Sequence, residues 1–291
     1  MCTLKADEQV LDELEAGGER FPHLAPVFAL QRALREAQLA VKAELPAARC
    51  AADQSRLLGG EPLLAFDDLA VDAAALAALA QRIMMIVLES QHRLQHHASE
   101  LSAVEWLAGA RRWFDSRLPP AGSIVSEEAI PQVVAAYALI PWLEHAAERC
   151  VSEVDLAAWR RPYCPMCGSY PDLALLTPEV GQRLLVCSRC SSQWAYRRTE
   201  CVFCETPESG RSQYFLGFEA GDRLYVCDHC RTYLKTIDLR ERSRPLSVYY
   251  ERVRTVPLDF AARNKGYRDG SAVVPGWSGE GEVRGDCTRC G

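Results

Sequence analysis

The sequence predicts a multidomain chain of the α plus small β class, with an N-terminal all-α helical domain followed by two tandem modules of short strands held by cysteine pairs. Three observations predict it. Apolar residues recur at helical spacing through most of the first 159 residues, and that periodicity stops at Arg160. Beyond that point lie ten of the thirteen cysteines, all of them in CxxC pairs. The boundaries follow as a helical domain at 1–159, a first four-cysteine module at 160–199, a second at 200–240, and a C-terminal segment and tail at 241–291.

The helical elements come in order. Val27, Leu30, Leu34, Ala37, Val41 and Leu45 step by three and four and give one apolar face, with Pro26 suited to a first turn and Pro46 to a stop. A loop with Gly59, Gly60 and Pro62 follows. The alanine-rich run 68–100 reads as a long helix with a candidate break near Gln81, and 103–114 as another. The last, 126–154, begins with Ser126, Glu127 and Glu128 at the end where the helix dipole favours acceptors and negative charge.

After Arg160 a repeat appears. CPMC (164–167) is followed by RLLVCSRC ending at Cys190; CVFC (201–204) is followed by RLYVCDHC ending at Cys230. A CxxC knuckle turns two sulfurs to one side, and two knuckles supply a closed tetrahedron with no position left for substrate. Tandem repetition favours self-contained groups, Cys164, Cys167, Cys187 and Cys190 for one metal, and Cys201, Cys204, Cys227 and Cys230 for the other; interleaved pairing is the alternative. Four thiolates suit zinc and a mononuclear iron alike. Modules this small rarely fold unaided, so the metal would supply folding energy.

Other features carry less. Glu89, His92 and His96 would share a helix face as metal ligands, but a solvated polar stripe accounts for them better. Cys287 and Cys290 lie in a glycine-rich tail with no matching pair, and Cys2, Cys50 and Cys150 are isolated, which makes them incidental or buried thiols. HExxH, GxxxxGK[ST] and GxSxG motifs are absent, so no enzyme is expected. With 33 Lys plus Arg against 39 Asp plus Glu, the net charge of −6 counts against a nucleic-acid partner. The most apolar run, 69–88, is interrupted by Asp72, Gln81 and Arg82, so no membrane insertion is expected. No apolar signal region opens the sequence, which leads to the expectation of a cytoplasmic protein.

RRPYCPMCGSYP (160–171), LVCSRCSSQWAYRRTECVFC (185–204), YVCDHCRTYLKTID (225–238) and the tail LDFAARNKGYRDGSAVVPGW (258–277) resemble the formate dehydrogenase accessory (formation) protein family. The resemblance implies a cytoplasmic maturation factor with two rubredoxin-like modules. Such a factor is required for formate dehydrogenase activity without being the dehydrogenase, and binds that enzyme's catalytic subunit before or during export. It also implies that the eight cysteines from Cys164 to Cys230 are ligands, with iron in two mononuclear four-cysteine sites. RPLSVYYERVRTVP (244–257) and the CTRCG ending depart from the family's pattern. A nucleic-acid-binding zinc-ribbon protein and a rubredoxin-like electron carrier are the competing functions, and the sequence leaves homo-oligomerisation open.

Overall fold

The computed structural model describes residues 7–47, 50, 53–90, 101–119, 129–207, 212–242 and 247–272. Among the described residues six α-helices form the first half: α1 (Asp7–Arg20), α2 (Ala25–Lys42), α3 (Gln54–Gly59), α4 (Ala73–Ser90), α5 (Ala103–Ser116) and α6 (Ile130–Val151). Their starts follow local chemistry. Pro26 occupies the first turn of α2, and Ser102 and Glu105 form a reciprocal capping box at α5, with Ser102 N donating to Glu105 Oε2 at 2.8 Å. Helix α4 runs unbroken through Gln81, because Gln81 and Arg82 face outward while Leu76, Ala80 and Ile83 fill the core. Burying a leucine or isoleucine side chain contributes about 2 kcal/mol. By length and composition α4 could cross a membrane, but its apolar face packs on α2, α5 and α6.

The central helix is α6, buried along most of its length, and it carries Pro141 in its interior. A proline there leaves the carbonyl four residues back without a donor. That carbonyl belongs to Tyr137, and Gln38 of α2 donates to it from Nε2 at 2.8 Å. A second tie corrects the expectation for two thiols: Cys50 and Cys150 form a disulfide. They are 100 residues apart, so no spacing marks them; the packing of α2 beside α6 brings them together.

The second half is one seven-stranded sheet: β1 (Pro171–Leu176), β2 (Arg183–Cys187), β3 (Gln193–Ala195), β4 (Ser212–Leu216), β5 (Asp222–Cys227), β6 (Thr232–Asp238) and β7 (Arg268–Asp269). The order is β3-β2-β1-β6-β5-β4, with β7 also paired to β6. Each cysteine repeat forms an antiparallel three-stranded meander. The meanders meet head to tail through a parallel pairing of β1 with β6, Leu173 opposite Lys235 and Leu176 opposite Asp238.

Two short helices return the chain to its beginning. Tyr250 and Val253 of α7 (Val248–Arg254) pack on Leu14 of α1 and Phe28 of α2. Helix α8 (Val256–Asn264) lays Leu258 and Ala262 on Leu224, Val226 and Tyr233 of the sheet. Buried charges are paired throughout this junction: Arg35 meets Glu144 at 2.7 Å, Tyr249 donates to the same carboxylate, and Arg254 meets both Asp222 and Glu251.

Candidate metal centres

All four knuckles are built the same way. In each, the residue after the second cysteine has a positive φ: Gly168 at 75°, Ser191 at 57°, Glu205 at 55° and Arg231 at 57°. Only the first is glycine, and for the others this left-handed backbone is unfavourable by about 1 kcal/mol. It persists because that residue's N–H closes back onto the carbonyl of the first cysteine, at 2.9, 3.2, 2.9 and 2.8 Å. In three of the turns the N–H two residues after the first cysteine is aimed at that cysteine's sulfur: Met166 N to Cys164, Arg189 N to Cys187 and Phe203 N to Cys201, each at 3.4 Å.

These turns bring together Cys164, Cys167, Cys187 and Cys190 as one group, and Cys201, Cys204, Cys227 and Cys230 as the other. Within each group the sulfurs all lie within 4.8 Å of one another. The closest approaches are 3.6 and 3.4 Å in the first group and 3.7 Å twice in the second. A tetrahedron with metal–sulfur bonds of about 2.3 Å has edges of about 3.8 Å. Each group could therefore hold one metal ion with very little rearrangement.

The electrostatics favour a cation once the thiols ionise. Burial pushes the Cys164 and Cys190 thiols well up, while Cys167 is held well down against its own burial by hydrogen bonds from the other three and by the nearby Arg189 charge. In the second group the hydrogen bond with Cys230 pushes Cys201 up, and the same contact, with help from Thr232, holds Cys230 at about 5. Four thiolates this close cannot all ionise unless a multivalent cation sits among them. A further sign of fit is Arg189, only 1% exposed, whose Nε and Nη2 have no hydrogen-bond partner. Its single positive charge would offset half that of a dianionic tetrathiolate centre.

Several residues around the sulfurs escaped the sequence argument. A serine or threonine stands two positions after every second cysteine, so the motif is CxxCx[ST] four times over. Ser192, Thr206 and Thr232 place their hydroxyls 3.2, 3.3 and 2.9 Å from the sulfurs of Cys190, Cys204 and Cys230. Ser169 instead donates to the Arg117 carbonyl at the end of α5. The fourfold pattern was legible. Arg252, donating to the Cys187 carbonyl at 2.6 Å from α7, had no such signal. His92, His96, Cys2, Cys287 and Cys290 lie outside the described residues, so the Glu89, His92 and His96 group is not brought into view.

Fold and sites together define a helical platform that carries two closed four-cysteine groups on one shared sheet. Within it, residues 163–198, the first cysteine repeat, match the family described as FdhE, central domain. The chain is 34% identical over 113 residues to a protein FdhE homolog of Aquifex aeolicus, covering 38% of this chain and 40% of that protein. It is 31% identical over 127 residues to protein FdhE of Escherichia coli, covering 42% and 40%. A protein FdhE homolog of Shewanella oneidensis is 28% identical over 155 residues, or 50% and 51%. The chain thus spans about half the length of the curated relatives it matches, or less. The crystal structure of the FdhE protein from Pseudomonas aeruginosa superposes with a TM-score of 0.62, covering 94% of this chain and 98% of that one at 21% identity, which speaks for the fold. The family resemblance and the expected fold class are both borne out.

Proposed function

We propose that this chain is an accessory, maturation protein required for formate dehydrogenase activity, which binds the catalytic subunit of that enzyme before or during its export. The observation that carries this is the match of the first cysteine repeat to the FdhE central domain. The likeness in fold to an FdhE protein along 94% of the chain supports it. On this reading the chain is no enzyme: a closed four-cysteine group offers no open coordination position to a substrate, so it shapes a surface or passes single electrons.

The eight cysteines of the two groups are then the metal ligands. Iron in two mononuclear sites follows from the resemblance, with zinc as the alternative that the same geometry admits. The functional division is the helical domain at 1–159, four-cysteine modules at 160–199 and 200–240, and a closing segment at 241–291. The protein works in the cytoplasm, where its client is made. Formate-dependent dye reduction in host cells deleted for this chain tests the function. Activity should be lost and return with a plasmid copy; unchanged activity with the dehydrogenase expressed would discard the proposal.

A further inference from the structure

The two four-cysteine groups share their knuckle geometry but not their surroundings. In the first, Cys164, Cys167, Cys187 and Cys190 are 0%, 3%, 0% and 3% exposed, and Met166, Ser188 and Arg189 inside its knuckles are buried too. The helical half seals it. Leu63 and Leu64 donate their N–H groups to the carbonyls of Pro165 and Met166 at 2.9 Å, and Arg189 reaches the Phe114 carbonyl while lying over the Trp113 ring. In the second group Cys201 and Cys227 are buried, but Cys204 and Cys230 are half-buried. Inside its first knuckle Val202 is buried and Phe203 half-buried, but Asp228 and His229 inside the second are exposed, as are Glu205 and Arg231, which follow the two knuckles. The helical domain makes no comparable seal over this side among the described residues.

A tetrahedral thiolate centre has no vacant position, so its metal moves only by ligand substitution, and substitution needs an incoming ligand to reach the metal. We propose that the second centre is the exchange centre of this protein: its metal is reached from solution through the face formed by Cys204 and Cys230 and passes to or from a soft, thiolate-bearing ligand, while the first centre is a sealed structural one. In the step, the incoming thiolate forms a bond to the metal and the bond to Cys204 or Cys230 breaks. The electron pair leaves with the departing sulfur, and no atom changes oxidation state. Thr206 and Thr232 stand beside these two sulfurs and supply a hydrogen bond to whichever thiolate is released. This inference rests on the reading of both groups as metal centres.

The test uses the full chain loaded with cobalt(II), whose thiolate charge-transfer band reports occupancy. The loaded protein is challenged with the dithiol 2,3-dimercaptopropane-1-sulfonate, and samples are quenched with N-ethylmaleimide for peptide mass analysis. Metal should leave in two phases. The fast one should run about tenfold or more ahead of the slow one, with alkylation confined to the cysteines of 201–230. Arg189→Ala, which uncovers the first knuckle, should speed the slow phase and leave the fast one unchanged. Simultaneous loss and alkylation of both groups, or earlier loss from 164–190, would overturn the proposal. Failure to take up two equivalents of cobalt would instead overturn the reading of the groups as metal centres.

Discussion

At the scale of single residues, the structure turns on polar groups that answer one another inside the core. Pro141 is the clearest case, since it strips a hydrogen bond from α6 and Gln38 restores it from a neighbouring helix. Replacing Gln38 with leucine leaves the Tyr137 carbonyl buried and unpaired, which should cost about 1–3 kcal/mol in urea unfolding. Adding Pro141→Ala should recover most of that loss, because alanine supplies the missing N–H; a double variant as weak as the single one would refute the assignment. Asp238 offers a second test. It is fully buried, and the hydrogen bonds from Arg240, joined by the Arg223 charge, hold its carboxyl below the usual carboxylate range. A depressed folded-state value means that its stabilisation is present above the ordinary carboxylate pKa and is lost as pH falls through the folded value. Asp238→Asn should therefore be weaker than wild type by on the order of 2 kcal/mol near neutrality, with the gap closing on acidification.

At the scale of elements, the two cysteine repeats differ in what leans on them. The first shares a continuous apolar core with α2, α4, α5 and α6, in which Trp159, Met166 and Trp194 are buried beside its sulfurs. Trp194 also donates to the Arg161 carbonyl, and Tyr163 to that of Gly60. Cys164→Ser should therefore loosen amides in the helical domain as well as in β1 to β3 when hydrogen exchange is followed by mass spectrometry. Cys227→Ser should act chiefly on β4, β5 and β6 and on helix α8, which packs against them. Equal and purely local effects from both would contradict the shared core. Helices α2, α4, α5 and α6 were legible because each carries an apolar stripe, as were β2 and β5, whose runs lead straight into cysteine knuckles. Helix α1 was missed because its stripe, Val10 and Leu14, is short and finds its partners only across the fold, at Phe28 and Tyr250. The parallel pairing of β1 with β6 was beyond reach, since strands so far apart in sequence leave no local pattern.

For the whole molecule, metal and proton compete. The metal-free groups hold protons on Cys164, Cys190 and Cys201, whose thiols are raised, so loading must expel them and affinity must rise with pH. Retained metal should fall as pH falls, read as loss of the thiolate charge-transfer band together with thermal stability; a pH-independent band would argue against thiolate ligation. The disulfide adds an opposing sensitivity. Closing a 100-residue loop stabilises a chain by about 4.7 kcal/mol in the loop-entropy account, so Cys150→Ser should lower stability measurably under oxidising conditions and little under reducing ones. Oxidants that close this link also threaten the eight sulfurs of the two metal groups.

The head-to-tail sheet also bears on how the chain comes off the ribosome. Strand β1 is made early, but the edge it offers to β6 stays open until Asp238 has emerged, and Leu14 and Phe28 wait longer still, for Tyr250. During that interval a nascent chain presents a bare strand edge and an uncovered apolar helix face, the two features most prone to wrong association. A translational pause or truncation before β6 would expose both at once, whereas one that comes only after Tyr250 and Val253 have left the ribosome would expose neither.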